Sequence, residues 1–343
     1  MKKISVCVPA YNRPDTLEQL IHSFIKQDYP NKELVISDDS PNNSIAALVR
    51  KYPKRGIRYV HNAPGLGFAF NLLHSLTLAK GDLIVILGDD DVFFSKKSLQ
   101  EYALIFELHP SVSYVYTNAV QFSENLNIEL EYKHFAESTI YKKGDGAMQN
   151  MWLSSLFIGG MGLRNNINFS KLYPKKNILY PQVALVGHIL NQFDGYANAS
   201  NLVAARSHDD QIIFRALKDK QLRGDGDHTN VEFLKIFKML KKKYGFSISE
   251  DFLENYLISH HSKMIFKEKA IIGRKLTATN YNIFIKASKR ASTSVKLRIA
   301  FLLSMIFPNW LIWSIKKNTL GIIHFVHSAK FRSHQKKLLQ MIS

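Results

Sequence analysis

The chain has 343 residues, 46% hydrophobic and 22% charged, a composition that excludes disorder and collagen-like repeats and is long enough to bury the core of one or two domains. A single cysteine excludes an intramolecular disulfide, and within Ile4-Ser5-Val6-Cys7-Val8 it reads as a small buried thiol. The net charge is +18, yet residues 1–210 hold 21 Lys and Arg against 20 Asp and Glu, whereas residues 211–343 hold 25 against 8. An electrically balanced front part is thus followed by a basic tail that should seek an anionic surface.

Behind Lys2 and Lys3 the apolar run stops at Pro9, too short for a signal-peptide core, so a cytoplasmic location is expected. Ile4 to Pro9 predicts a strand, and Leu17, Leu20, Ile21, Phe24 and Ile25 repeat at helical spacing behind a turn at Asn12-Arg13-Pro14. A second strand is expected at Glu33 to Ser37 and a second helix from Ser44 to Tyr52, with Asn42 or Asn43 as its cap. Strand Ile57 to Val60, helix Gly67 to Ala79, strand Leu83 to Leu87, helix Lys97 to Leu108 and strand Val112 to Val120 continue the alternation. The uninterrupted apolar run at Leu83 suits a parallel strand covered on both faces.

The expected class is therefore α/β, a Rossmann-like domain with a mostly parallel sheet, followed by a helical basic C-terminal region. Three segments are expected: residues 1–120, a less regular stretch 121–215, and 216–343. In the middle segment Gly159-Gly160-Met161-Gly162 marks either a close approach of a ligand or backbone, or a glycine-rich turn. In the last, Val231 to Tyr244 places Phe233, Leu234, Phe237 and Leu240 on one helical face. Ile299 to Ile315 is a 17-residue stretch without a charge, broken at Pro308-Asn309 and flanked by Lys296, Arg298, Lys316 and Lys317. That length and break favour a helix lying in the membrane plane or packing in a core over a true span, and the flanking charges point to an anionic cytoplasmic leaflet.

Chemistry-bearing residues gather at strand ends, the place where open α/β sheets bind ligands. Asp89, Asp90 and Asp91 follow a buried strand directly, and the mutual repulsion of three carboxylates is best relieved by a cation. Such an oxygen-rich set suits Mg2+ or Mn2+ bridging to diphosphate oxygens. The alternative is a loop that sets its acids against the dipole of the helix that follows. Tyr11 offers a face for stacking a base, and Asp38 or Asp39 a carboxylate for a ring N–H or ribose hydroxyl, although Asp-Asp-Ser is also a common turn sequence.

Three stretches, Val8-Pro9-Ala10-Tyr11-Asn12-Arg13, Glu33-Leu34-Val35-Ile36-Ser37-Asp38-Asp39-Ser40 and Lys80-Gly81-Asp82-Leu83-Ile84-Val85-Ile86-Leu87-Gly88-Asp89-Asp90-Asp91, stand in the order and spacing of one family. Over roughly residues 3–120 the chain resembles the family 2 glycosyltransferases of the GT-A fold. The resemblance implies an inverting transferase, with residues 1–120 as the nucleotide-sugar half and 121–215 as the acceptor half. Its donor would be a nucleotide-diphosphate sugar, first expected to be a UDP-sugar, held by Pro9, Ala10, Tyr11, Arg13, Asp38, Asp39, Asn71, Asp89 and Asp90. It further implies a divalent metal, Mg2+ or Mn2+, on Asp89, Asp90 and Asp91, with His208 of Arg206-Ser207-His208 reaching the metal or diphosphate. Phe70, in Gly65-Leu66-Gly67-Phe68-Ala69-Phe70-Asn71, stands where the family often has arginine. Tyr180-Pro181-Gln182 stands where the family often carries its acidic base, leaving Asp209 or Asp210 as the base or, alternatively, as the cap of a following helix.

The basic, apolar tail adds a glycan or lipid-linked glycan acceptor and peripheral attachment to the inner face of the cell membrane, as in synthesis of a bacterial surface polysaccharide. Nucleic acid is not expected as a partner, because the basic residues alternate with long apolar stretches rather than a polar, aromatic-studded face. Two other functions compete: a sugar-phosphate nucleotidyltransferase, which should show a Gly-rich basic loop where Tyr11-Asn12-Arg13-Pro14 stands, and a non-catalytic, membrane-docked nucleotide-sugar-binding module. No sequence feature fixes an oligomeric state.

Overall fold

The computed structural model describes residues 1–172, 178, 180–207, 229–312, 314–315, 318–319 and 327–342. The chain forms two compact units, one of Met1–Lys175, Pro181–Ser207 and Ala329–Ser343, the other of Lys176–Tyr180 and His208–Ser328.

The first unit opens with β1 (Ile4–Ala10), buried at every position, and α1 (Pro14–Ile25), which buries Leu17, Leu20, Ile21 and Phe24 as their spacing predicts. Next come β2 (Lys32–Asp38), α2 (Ser44–Arg50), β3 (Ile57–His61), α3 (Phe68–Thr77) and β4 (Leu83–Ile86). Asn43 precedes α2 without a side-chain cap, while Asn42 Oδ1 accepts from Ser44 N at 3.0 Å. β5 (Val92–Phe93), α4 (Ser98–Leu108), β6 (Val112–Phe122), β7 (Ile128–Tyr132), β8 (Thr139–Tyr141), α5 (Asp145–Met151), β9 (Met161–Arg164), α6 (Pro181–Leu190) and β10 (Asp194–Arg206) complete its αβ part.

One sheet runs β3-β2-β1-β4-β9-β6-β10-β5, with β7 paired to β6 and β8 to β10. Its first four strands are parallel, and the register Ala10↔Asp38 and Cys7↔Ile86 brings the carboxyl ends of β1, β2 and β4 to one edge. β9 enters antiparallel between β4 and β6, and β10 lies parallel to β6. The sequence does not announce β10, because register shifts at Asp194/Gly195, Asn198/Asn201 and Asn201/Val203 interrupt its alternation. Gly162 on β9 is a close approach rather than a turn: a Cβ there would stand 2.8 Å from Cδ1 of the buried Tyr102 ring.

The second unit is helical. α7 (Thr229–Tyr244) buries the expected Phe233, Leu234, Phe237 and Leu240. α8 (Glu250–Ile272) is capped by Ser249, which accepts from Phe252 N at 3.2 Å, and is followed by α9 (Arg274–Ala287), α10 (Lys289–Thr293) and α11 (Val295–Ile306). α11 buries Leu297 and Ser304 and stacks Phe301 on Tyr281 at 4.0 Å, yet Val295, Ile299, Leu302 and Ile306, at i, i+4, i+7 and i+11, face outward. Among the described residues no helix is long and apolar enough to cross a membrane.

The last helix, α12 (Ser328–Ile342), belongs from Ala329 onward to the first unit. Lys26 Nζ donates to the Gln340 carbonyl at 2.8 Å, His22 Nδ1 lies 2.9 Å from the Ile342 carbonyl, and Lys330 pairs with Glu131 of β7 at 2.6 Å. The basic tail therefore divides between the two units.

Candidate active site

Where β1 ends, Pro9 and Ala10 are buried and Tyr11 is 53% exposed. Pro14, in the first turn of α1, needs no backbone donor there, and Arg13 before it takes part in the helix start only through its carbonyl, which accepts from Leu17 N at 3.1 Å, leaving its guanidinium for other partners. It reaches Asp89 Oδ1 at 3.2 Å and Asp90 Oδ2 at 2.5 Å. Tyr11 N donates to Asp89 Oδ2 at 2.9 Å, and the Thr16 hydroxyl donates to the Asp89 carbonyl at 3.0 Å. The loop after β1 and the loop after β4 are thereby joined through one carboxylate.

Burial and the neighbouring Asp90 push the Asp89 carboxyl up to about 7, against the pull of Arg13 and the Tyr11 N–H. Asp91 is also raised, by burial first and then by Asp90, but its carboxylate turns back to accept from Gly88 N at 3.0 Å. A Cβ at position 88 would stand 2.9 Å from both the Asp90 and Asp91 carboxylate oxygens, so any larger residue there would make the two carboxylates shift.

Asp38 and Asp39 occupy the neighbouring strand end. Asp38 accepts from the Tyr59 hydroxyl and from Ser40 N, each at 2.8 Å; Asp39 accepts from Asn62 Nδ2 and Gly67 N, each at 2.7 Å. Asn71 links this group to β1, donating to the Ala10 carbonyl at 3.2 Å and accepting from Asn62 Nδ2 at 3.2 Å. Pro9, Ala10, Tyr11, Arg13, Asp38, Asp39, Asn71, Asp89, Asp90 and Asp91 thus gather at one sheet edge. His208, Asp209 and Asp210 lie outside the described residues. Gln182 is buried at the start of α6 and donates to the Leu156 carbonyl at 3.0 Å.

Sequence reasoning assigned no role to two groups. Asn62 gives its amide to Ser37, Asp39 and Asn71, a role that no spacing reveals. Arg206 lies over the Phe122 ring at 4.6 Å and feels the charges of Asp90 and Asp91, while burial lowers its pKa. Arg206 was visible only as the first residue of Arg206-Ser207-His208, and its approach to the carboxylates depends on β10, a strand that was not legible.

Among the described residues no three His, Cys, Asp or Glu side chains converge as a metal cage. Asp89 and Asp90 nevertheless aim oxygens at one cation, Arg13. A two-carboxylate donor set, Asp89 buried and Asp90 partly exposed, fits Mg2+ or Mn2+, which take one or two carboxylates and draw further oxygens from water and substrate phosphates.

Comparison with known proteins agrees with this geometry. Residues 5–169 match Glycosyl transferase family 2. The putative teichuronic acid biosynthesis glycosyltransferase TuaG of Bacillus subtilis is 27% identical over 45% of this chain and 60% of its own length. The UDP-Glc:alpha-D-GlcNAc-diphosphoundecaprenol beta-1,3-glucosyltransferase WfgD of Escherichia coli is 28% identical over 34% and 45%. The chain thus matches less than two thirds of either relative's length. In overall fold it is similar to S. aureus TarS 1–349 in complex with UDP-GlcNAc, with a TM-score of 0.60, 15% identity and coverage of 88% and 89%. It is similar also to the mannosyltransferase PcManGT of Pyrobaculum calidifontis in complex with GDP-Man and Mn2+, with a TM-score of 0.52, 13% identity and coverage of 99% and 86%. With the parallel sheet edge and its carboxylate loops, these matches make residues 5–169 a glycosyl transferase family 2 domain in a chain with the GT-A fold.

Proposed function

We propose that this transferase moves a sugar from a nucleotide-diphosphate donor, first expected to be a UDP-sugar, to a hydroxyl of a lipid-linked glycan, with inversion, in the synthesis of a surface polysaccharide. The observation that carries the reading is the Asp89-Asp90-Arg13 cluster at the same sheet edge as Tyr11, Asp38 and Asp39. UDP-GlcNAc in TarS and the diphosphoundecaprenol-linked acceptor named for WfgD support the donor and acceptor classes.

Tyr11 would stack on the base, with Asp38 or Asp39 taking its ring N–H or the ribose hydroxyl. Asp89 and Asp90 would hold a divalent cation, with Asp91 shaping their loop and His208 as a further ligand. Such a cation, when bound, neutralises charge on the leaving diphosphate. Arg13 supplies positive charge at the same place. The acceptor oxygen bonds to the anomeric carbon as that carbon's bond to the diphosphate oxygen breaks. The bonding electrons leave with the nucleoside diphosphate, and the acceptor proton passes to a carboxylate, Asp209 or Asp210.

The outward apolar stripe of α11, with Ile306 69% exposed, and Trp310 beyond its end, 70% exposed, support peripheral docking on an anionic membrane surface. Ligand binding to the folded chain raises its melting temperature. Melting in UDP, GDP, CDP or dTDP, each with Mn2+ or with EDTA, should show a metal-dependent rise with one nucleotide that Asp90→Ala abolishes. No rise with any nucleotide would overturn the donor site, and a rise without transfer or donor hydrolysis by the wild type would favour the non-catalytic binding module.

A further inference from the structure

Unit 1 carries a second arrangement of side chains that donor binding leaves unused. On β6, Tyr116 is fully buried and donates from its hydroxyl to the Phe157 carbonyl at 3.1 Å. The His134 ring lies 5.2 Å from the Tyr116 ring, and Tyr132 stacks on His134 at 6.0 Å with 17° between the planes. Phe135 closes the group at 6.3 Å from both Tyr116 and His134. Tyr116 and Phe135 are buried, whereas Tyr132 and His134 are exposed.

The exposed pair is held in place by polar anchors. Buried Asn118 imitates a strand partner for Phe135: its Oδ1 accepts from Phe135 N at 3.0 Å, and its Nδ2 donates to the Phe135 carbonyl at 2.9 Å and to the Ala199 carbonyl at 3.0 Å. On the other side Glu131 is held by Lys330 of α12 at 2.6 Å. Aromatic faces fixed in advance lose little freedom when a ligand arrives. The surrounding protein desolvates the His134 imidazole and lowers its pKa, so at neutral pH it offers an uncharged ring.

The stack also stands near the carboxylate loop. Asp91 is close enough to Tyr116 for its charge to help raise the phenol's pKa, after the larger effects of burial and Tyr102. A Cβ on Gly159 would strike both the Asp91 carboxylate and the Phe157 ring, so Asp91 and the residue that receives the Tyr116 hydrogen bond border one space.

We propose that Tyr132 and His134 form a stacking platform for a sugar ring of the acceptor glycan, a role that rests on the glycosyl-transfer reading. A hexose presents a face of C–H groups that gains dispersion and C–H to π attraction against flat rings while its hydroxyls stay in water. Tyr132 and His134 offer such a face, and Tyr116 supports it from below.

Saturation-transfer NMR on the full chain with methyl β-glucoside, methyl β-galactoside and methyl N-acetyl-β-glucosaminide tests this. Wild type should give a signal from at least one glycoside. The signal should weaken about three- to tenfold in Tyr132→Ala or His134→Ala, the factor expected for losing one aromatic contact, and persist in Tyr132→Phe and His134→Phe. Melting curves, and the nucleotide-dependent rise in melting temperature, confirm that each variant is folded; should an alanine variant fail to fold, Tyr132→Ser or His134→Asn replaces it. No wild-type signal, an undiminished signal in the alanine variants, or phenylalanine variants as impaired as alanine ones would overturn the platform. A glycoside signal without any nucleotide response would sustain it as a sugar site and overturn the donor reading instead.

Discussion

Glu268 on α8 is buried, accepts from Asn280 Nδ2 at 2.7 Å and lies 3.9 Å from His261 Nδ1. Burial pushes its carboxyl up to about 7, more than the Asn280 hydrogen bond draws it down. An acid whose folded pKa is raised stabilises the fold fully below its unfolded pKa and loses that contribution as pH rises through the folded value. Glu268→Gln keeps an acceptor for Asn280 and removes the charge, so it should raise the melting temperature at pH 8 and leave it nearly unchanged at pH 4. The gain is on the order of 3 kcal/mol at most, from the pKa displacement. Equal effects at both pH values would show that Glu268 does not titrate in this range. Individual residues at the carboxyl ends of the parallel strands were legible because Tyr11, Asp38, Asp39 and Asp89 to Asp91 follow apolar runs directly. Their engagements were not: that Asp39 is bound by Asn62 and Gly67, and that Asp91 turns to Gly88, depends on loop geometry that residue type alone does not encode.

At the scale of elements, the alternation from β1 to β6 was readable, β5 apart, because β1 and β4 are compact apolar runs and α1 repeats its apolar residues at helical spacing. β5, β7, β8, β9 and β10 escaped: β5, β8 and β9 are two to four residues long, β7 is only partly buried, and β10 is bulged. The structure assigns the glycine at position 162 to the fit of β9 against α4, through Tyr102. Gly162→Ala should therefore lower stability by roughly 1–3 kcal/mol, the usual cost of overpacking, read as a lower urea midpoint with an unchanged slope. Gly146→Ala is the matched comparison, because in α5 a Cβ at that position meets nothing within 4 Å. It should be neutral or stabilising by about 0.5–1 kcal/mol through helix propensity.

For the whole molecule, the charge asymmetry of the sequence acquires a surface in the helical unit. α11 turns Val295, Ile299, Leu302 and Ile306 to solvent next to Lys296 and Arg298, the opposite of what a helix packed by its apolar face would do. Co-flotation with vesicles containing phosphatidylserine should exceed that with phosphatidylcholine alone and weaken with added salt. Leu302→Glu with Ile306→Glu should reduce it about tenfold or more without lowering the melting temperature, since both side chains are already exposed. Retained flotation in the double variant would place the attachment elsewhere.

The return of α12 to the first unit bears on the order in which the chain is made. The backbone carbonyls of Gln340 and Ile342 meet Lys26 and His22 of α1, and Lys330 meets Glu131 of β7. A ribosome delivers α1 and β7 some two hundred to three hundred residues before those partners, so the αβ unit must wait, its α12-facing surfaces uncovered, while the whole helical unit is synthesised. The intervening helices are thus a delay as well as a domain, and the nascent αβ unit is most open to chaperones and proteases during that interval.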